Sequence, residues 1–142
     1  KRDLEVEWIP TQAVIYNIEK IKNLKFDTAY GRYSYLEDLD FSYSLSQSGK
    51  LMICSSANYT SENTVNRNDY NFGIKEILNR YHFVNKFNFK KKYFFLGILF
   101  SFLKNFLILL CLKPNFFLRI IGNLNAIFKI IFGFKSHEYY KK

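Results

Sequence analysis

Tyr35-Leu36-Glu37-Asp38-Leu39-Asp40-Phe41 sets three carboxylates within four positions between aromatic residues, and Gly49 follows Asp38 by eleven residues. The stretch reads as the mouth of a helix running over about 36–47. A helix start carries partial positive charge and unbonded amides, so one acid there is expected as a cap; three exceed that need. Glu37 and Asp40 are three apart and share a helical face, whereas Asp38 is offset from it and left to face a cleft. Leu36, Leu39, Tyr43 and either Leu45 or Ser46 form the expected inner side, and Gly49 suits the C-terminal cap. Two readings stand: a capped, solvated helix start, or a carboxylate held out for chemistry.

Upstream, Val6, Trp8 and Ile9 alternate weakly, and Ala13-Val14-Ile15-Tyr16 is a short apolar run. Two short strands separated at Pro10 are predicted, with Trp8 in the core. Ile18, Ile21 and Leu24 then recur at three-residue spacing after Asn17, which predicts a short helix. The loop over 29–35 is rich in tyrosine, suited to packing or to stacking on sugar faces. Downstream, Leu51-Met52-Ile53-Cys54 predicts a buried strand, residues 55–71 a long polar surface loop, and the apolar positions 74, 77, 78 and 81 a helix.

The run Trp8-Ile9-Pro10-Thr11-Gln12-Ala13, then Phe26-Asp27, then Tyr35 to Phe41 and Gly49, resembles the second half of a bacterial glycosyltransferase of family 2. The resemblance covers about residues 5 to 85. It implies an α/β fold, a partial GT-A-type (Rossmann-like) domain over 1–88, and a membrane-associated helical tail over 89–142. It implies that Asp38 is the general base of an inverting transfer, with Glu37 beside it. The loop after Trp8 is placed by the resemblance beside the acceptor, which makes Trp8, Thr11, Gln12 and Asp40 candidate substrate-binding residues.

Where many relatives have a Gly-rich turn, an acid, an Arg and a His, this chain has Thr11-Gln12, Thr28, Ser44 and Thr60. No metal ligand is therefore expected in this segment. The family's nucleotide-binding half, with its Asp-x-Asp site, is not among these residues, so the resemblance implies a C-terminal fragment. In the complete enzyme it implies a divalent metal, Mg or Mn, bound mainly by that other half.

The chain has 142 residues, enough to bury a core. Lys and Arg total 21 against 12 acids, a net charge of +9. Such an excess suits nucleic acid, anionic lipid or a phosphorylated substrate. Position favours lipid, because Lys86 and Lys90-Lys91-Lys92 abut a segment dominated by Phe, Leu and Ile. No basic stretch is interleaved with a recognisable nucleic-acid-binding motif, so nucleic acid is not an expected partner. Cys54 and Cys111 lie far apart with no metal-ligand spacing, and His82 and His137 are isolated. Asn58-Tyr59-Thr60 matches a glycosylation acceptor pattern and is assigned no role.

Residues 93–112 hold fourteen Leu, Ile and Phe, and their length approaches that of a membrane span. Lys104 inside it costs about 3 kcal/mol, and lysines flank both sides without the asymmetry that orients a single crossing. After a break at Lys113-Pro114-Asn115, one side of a helical wheel gathers Phe117, Ile120, Ile121, Leu124, Ile127, Phe128 and Ile131. The opposite side gathers Arg119, Gly122, Asn123, Ala126, Lys129 and Gly133, which predicts an amphipathic helix that either lies in the bilayer interface or packs on the globular domain, its basic face favouring the interface.

The resulting expectation is the acceptor-side half of an inverting glycosyltransferase of cell-surface polysaccharide biosynthesis. It would take a nucleotide-sugar donor and a saccharide or lipid-linked acceptor, and sit peripherally on the cytoplasmic face of the cell membrane against anionic lipid. The competing expectation is a non-enzymatic basic membrane-surface protein whose acidic cluster only caps a helix.

Overall fold

The computed structural model describes residues 2–31, 35–60, 69–110 and 115–134. These are mostly helical with one two-stranded antiparallel sheet, a mixed α/β composition. Contacts divide the chain into two compact units, the first over 1–28 and 36–64 and the second over 29–35 and 65–142. Arg32, Tyr33, Ser34 and the 61–68 part of the polar loop lie outside the described residues.

In the first unit, β1 (Leu4–Val6) pairs with β2 (Leu51–Ile53) in the register Leu4 to Ile53, Glu5 to Met52 and Val6 to Leu51. Only Leu51 of β2 is buried, while Met52 and Ile53 are about half exposed, so the expected buried strand is corrected. A three-residue, two-stranded ribbon has few side chains to turn inward and depends on what packs against it. The second upstream strand is likewise absent, because residues 14–17 are irregular. Asn17 does open a short helix, α1 (Ile18–Ile21), and its side chain accepts from the Glu19 amide at 3.0 Å.

α2 (Glu37–Ser46) supplies the centre of this unit. Phe41 and Leu45 are its buried apolar residues, joined by Ile9 and Leu51 and flanked by Val6, Val14, Tyr16, Ile21 and Leu24. Phe26 stacks on Phe41 with centroids 4.3 Å apart, and Tyr16 meets the same ring edge-on at 5.5 Å. The expected inner side of Leu36, Leu39 and Tyr43 is therefore rotated: those residues are half-buried, and Phe41 leads the core. Gly49 does not cap the helix; Gln47 does, in right-handed geometry.

In the second unit, α3 (Tyr70–Lys86) begins at Asp69, whose carboxylate accepts from the Phe72 amide at 2.6 Å. Ile74, Ile77 and Leu78 are buried as their spacing predicts, together with Phe94 and Ile98 of α4 (Lys91–Leu110) and Ala126 of α5 (Asn115–Ile131). Before α3, the short 3-10 turn Thr28–Tyr30 buries Tyr30, which meets His82 edge-on at 5.1 Å. His82 is a packing residue there.

α3 and α5 cross at glycines. A Cβ on Gly73 would come within 2.3 Å of the Arg119 carbonyl oxygen, and one on Gly122 within 2.1 Å of the Tyr70 carbonyl oxygen. Only hydrogen fits at either site. Beside them the Asn123 amide nitrogen donates to the Gly73 carbonyl at 2.7 Å. Arg119 donates to Glu76 through Nε at 3.1 Å and Nη2 at 2.8 Å, and Arg80 pairs with the other Glu76 oxygen at 3.1 Å. Buried Glu76 is thus held by two cations, which burial of a carboxylate requires.

α5 packs on α3 through the side of the predicted wheel that holds its small and polar residues. Gly122, Asn123 and Ala126 turn inward with the Arg119 head group on Glu76, while Leu124 and Phe128 are exposed. The reason is local: small residues let two backbones touch, and each polar group beside them has a partner on α3. α4 buries Phe94 and Ile98 in the core together with Ser101 and Asn105, whose amide has no hydrogen-bond partner among the described residues, and leaves Leu99, Phe100, Leu103 and Phe106 exposed. Among the described residues no helix is long and apolar enough to cross a membrane.

Candidate functional site

The acidic cluster forms the first turn of α2, and the residue in front of it is strained. Leu36, at the N-cap, has φ 77° and ψ 3°, and no side chain caps the helix there. A left-handed conformation costs a non-glycine residue about 1–2 kcal/mol. Such outliers gather at functional sites, where surrounding structure holds them in place. Glu37, Asp38 and Asp40 follow at once, their negative charge set against the positive end of the helix.

The three acids have different surroundings. Asp40 is 2% exposed, far from the solvated position expected of a simple cap. Asp38 is half-buried, and the Thr11 hydroxyl donates to its Oδ1. Glu37 is also half-buried.

What brings Thr11 to Asp38, 27 residues away in sequence, is a clamp one residue before Pro10. The Ile9 amide donates to Ser42 Oγ at 3.2 Å, and the Ser42 hydroxyl donates back to the Ile9 carbonyl at 2.8 Å. Ser42 lies one turn beyond Asp38 on α2, so this double bond fixes the turn at Thr11 against the start of the helix. Ser42 was not singled out from sequence, since a serine inside a helix carries no signal of a backbone partner.

The remaining candidates lie around that turn. Gln12 accepts from the Tyr59 hydroxyl at 2.8 Å, which ties the loop after β2 to the turn. Trp8 is 52% exposed, which corrects its expected place in the core. Its neighbour Ile9 takes the core position instead, with its backbone held by Ser42 of α2.

Tyr16 is the member that sequence reasoning missed. Its hydroxyl is buried with no hydrogen-bond partner among the described residues. Burial, and then the negative charge of Asp38, push its pKa above the usual tyrosine value. The phenol therefore stays neutral and remains a donor. Read as part of an apolar run, it gave no sign of this.

Asp38 thus accepts one bond from Thr11, and an ionised carboxylate has about four acceptor sites. It can take a further hydroxyl. Among the described residues no three His, Cys, Asp or Glu side chains form a group able to hold a metal ion. No family model matches the sequence, and neither a curated protein nor a solved structure is significantly similar to it.

Proposed function

We propose that the acidic start of α2 is the acceptor site of an inverting glycosyltransferase of the GT-A, family 2 type, with Asp38 as its general base. The single observation that carries this reading is the joining of Thr11 to Asp38: two segments that the resemblance puts on the acceptor side meet in one hydrogen bond. In the reaction, the acceptor hydroxyl oxygen attacks the anomeric carbon of a nucleotide sugar from the face opposite the diphosphate. Its proton passes to Asp38, the new glycosidic bond forms, and the bond from anomeric carbon to diphosphate oxygen breaks.

Thr11 orients the carboxylate, and the clamp between Ser42 and Ile9 holds Thr11. A base within hydrogen-bond reach of the attacking hydroxyl contributes about 100-fold or more to such a step. Glu37, Trp8 and Gln12 line the approach for a saccharide or lipid-linked acceptor. Among the described residues no divalent-metal site is formed; in this reading Mg or Mn and the nucleotide would be held by the nucleotide-binding half that the resemblance implies, and no step here passes through the metal.

Two measurements test the assignment. Calorimetry on the 142 residues alone is expected to show no micromolar binding of UDP-, GDP- or dTDP-sugars; such binding would put the donor site within this segment and overturn the division. With the nucleotide-binding half joined, NMR of the product is expected to show an anomeric configuration inverted from the donor. Retention would exclude a single displacement assisted by Asp38.

A further inference from the structure

α4 and α5 give some apolar residues to the core and leave many large ones on their outer faces. Along α4 the buried row is Phe94, Ile98, Ser101 and Asn105, while Leu99, Phe100 and Leu103 face outward, Phe100 at 70% exposure. Along α5 the buried row is Gly122, Asn123 and Ala126, and Phe117, Leu124 and Phe128 face outward, Phe128 at 63%. Helices that fold in water put the apolar stripe inside and the polar one out. Helices that pack in lipid join through small residues and polar side chains, as Gly73, Gly122, Asn123 and the Arg119–Glu76 pair do here.

Charge says what covers the outward faces. Between Glu76 and Glu138 the sequence holds ten Lys and Arg and no acid, and Lys91, Lys92 and Lys104 are exposed on α4. A second copy would bring the same cationic surface against itself, whereas anionic headgroups complement it. Exposed apolar area on this scale is not left open to water in a monomer.

We infer that the outward faces of α4 and α5 are a bilayer-inserting surface, seated in the interface of an anionic membrane with the Lys90–Lys92 cluster on the headgroups. This surface is independent of the Asp38 assignment, because its readout is lipid binding and not sugar transfer.

Flotation of the full 142-residue chain tests it, using vesicles of phosphatidylcholine alone and vesicles with added phosphatidylglycerol. The chain is expected to float with the anionic vesicles, and to do so less, but still measurably, in high salt. Phe100→Asp with Phe128→Asp is expected to keep its helical circular dichroism and to weaken binding roughly tenfold or more, as loss of inserted apolar area demands. Lys91→Glu with Lys92→Glu is expected to abolish the preference for phosphatidylglycerol. The inference is overturned if the wild-type chain stays with the pellet fraction free of lipid, or if the double aspartate variant floats as before. Loss of helical signal in that variant would place the two side chains inside the fold and overturn it equally. A lipid-free dimer in sedimentation that the aspartates split into monomers would assign the surface to a second copy instead.

Discussion

Asp38 and Asp40 stand two positions apart on α2 and meet different surroundings, which separates their roles. Asp38 is half-buried and takes the Thr11 hydroxyl, while Asp40 is enclosed. Asp40→Asn removes a charge from an enclosed place, and is expected to cost about 1–3 kcal/mol, more than a solvated cap would. Thermal melts check it, with activity per folded molecule largely kept. Tyr16→Phe is expected to go the other way: its hydroxyl is buried without a partner, so removal stabilises by about 1 kcal/mol. A fall in melting temperature would show that the hydroxyl has a bond. The acids themselves were legible in the sequence, and so was the offset of Asp38 from its neighbours. Tyr16 and Ser42 were not, because their importance comes from contacts with residues 22 and 33 positions away.

At the scale of elements, α2 was legible in its extent but not in its inner side, which Phe41 leads, while α3 was legible in the spacing of its buried residues. α2 runs over Glu37–Ser46 where 36–47 was expected, and α3 buries Ile74, Ile77 and Leu78 as spaced. α5 was legible as a helix and not as a packing partner. Periodicity identifies two faces, but the rule that the apolar one turns inward assumes water on the outside. What decides the matter is the small-residue contact of Gly73 with α5 and of Gly122 with α3, which no spacing within one helix reveals. Gly122→Leu should therefore behave as a core substitution: its side chain has no room beside the Tyr70 carbonyl, and a loss of about 3 kcal/mol or more is expected in chemical denaturation. Were α5 held by its apolar face, the same change would be nearly neutral.

For the whole molecule, the two units carry separate chemistries. The first unit holds a carboxylate whose oxygen accepts from Thr11, beside the strained Leu36. The second carries an apolar, cationic surface suited to anionic lipid. The expected resemblance to family 2 glycosyltransferases rests on the sequence alone, and spacing could not reveal that Thr11 and Asp38 meet. We propose Asp38 as the base, and the direct measurement is sugar transfer per folded molecule by a protein in which this segment is joined to the nucleotide-binding half that the resemblance implies. Asp38→Asn keeps size and can still accept from Thr11, but cannot take a proton, so turnover is expected to fall roughly 100-fold or more with the melting temperature little changed. Turnover by Asp38→Asn close to that of the unaltered protein would contradict the account.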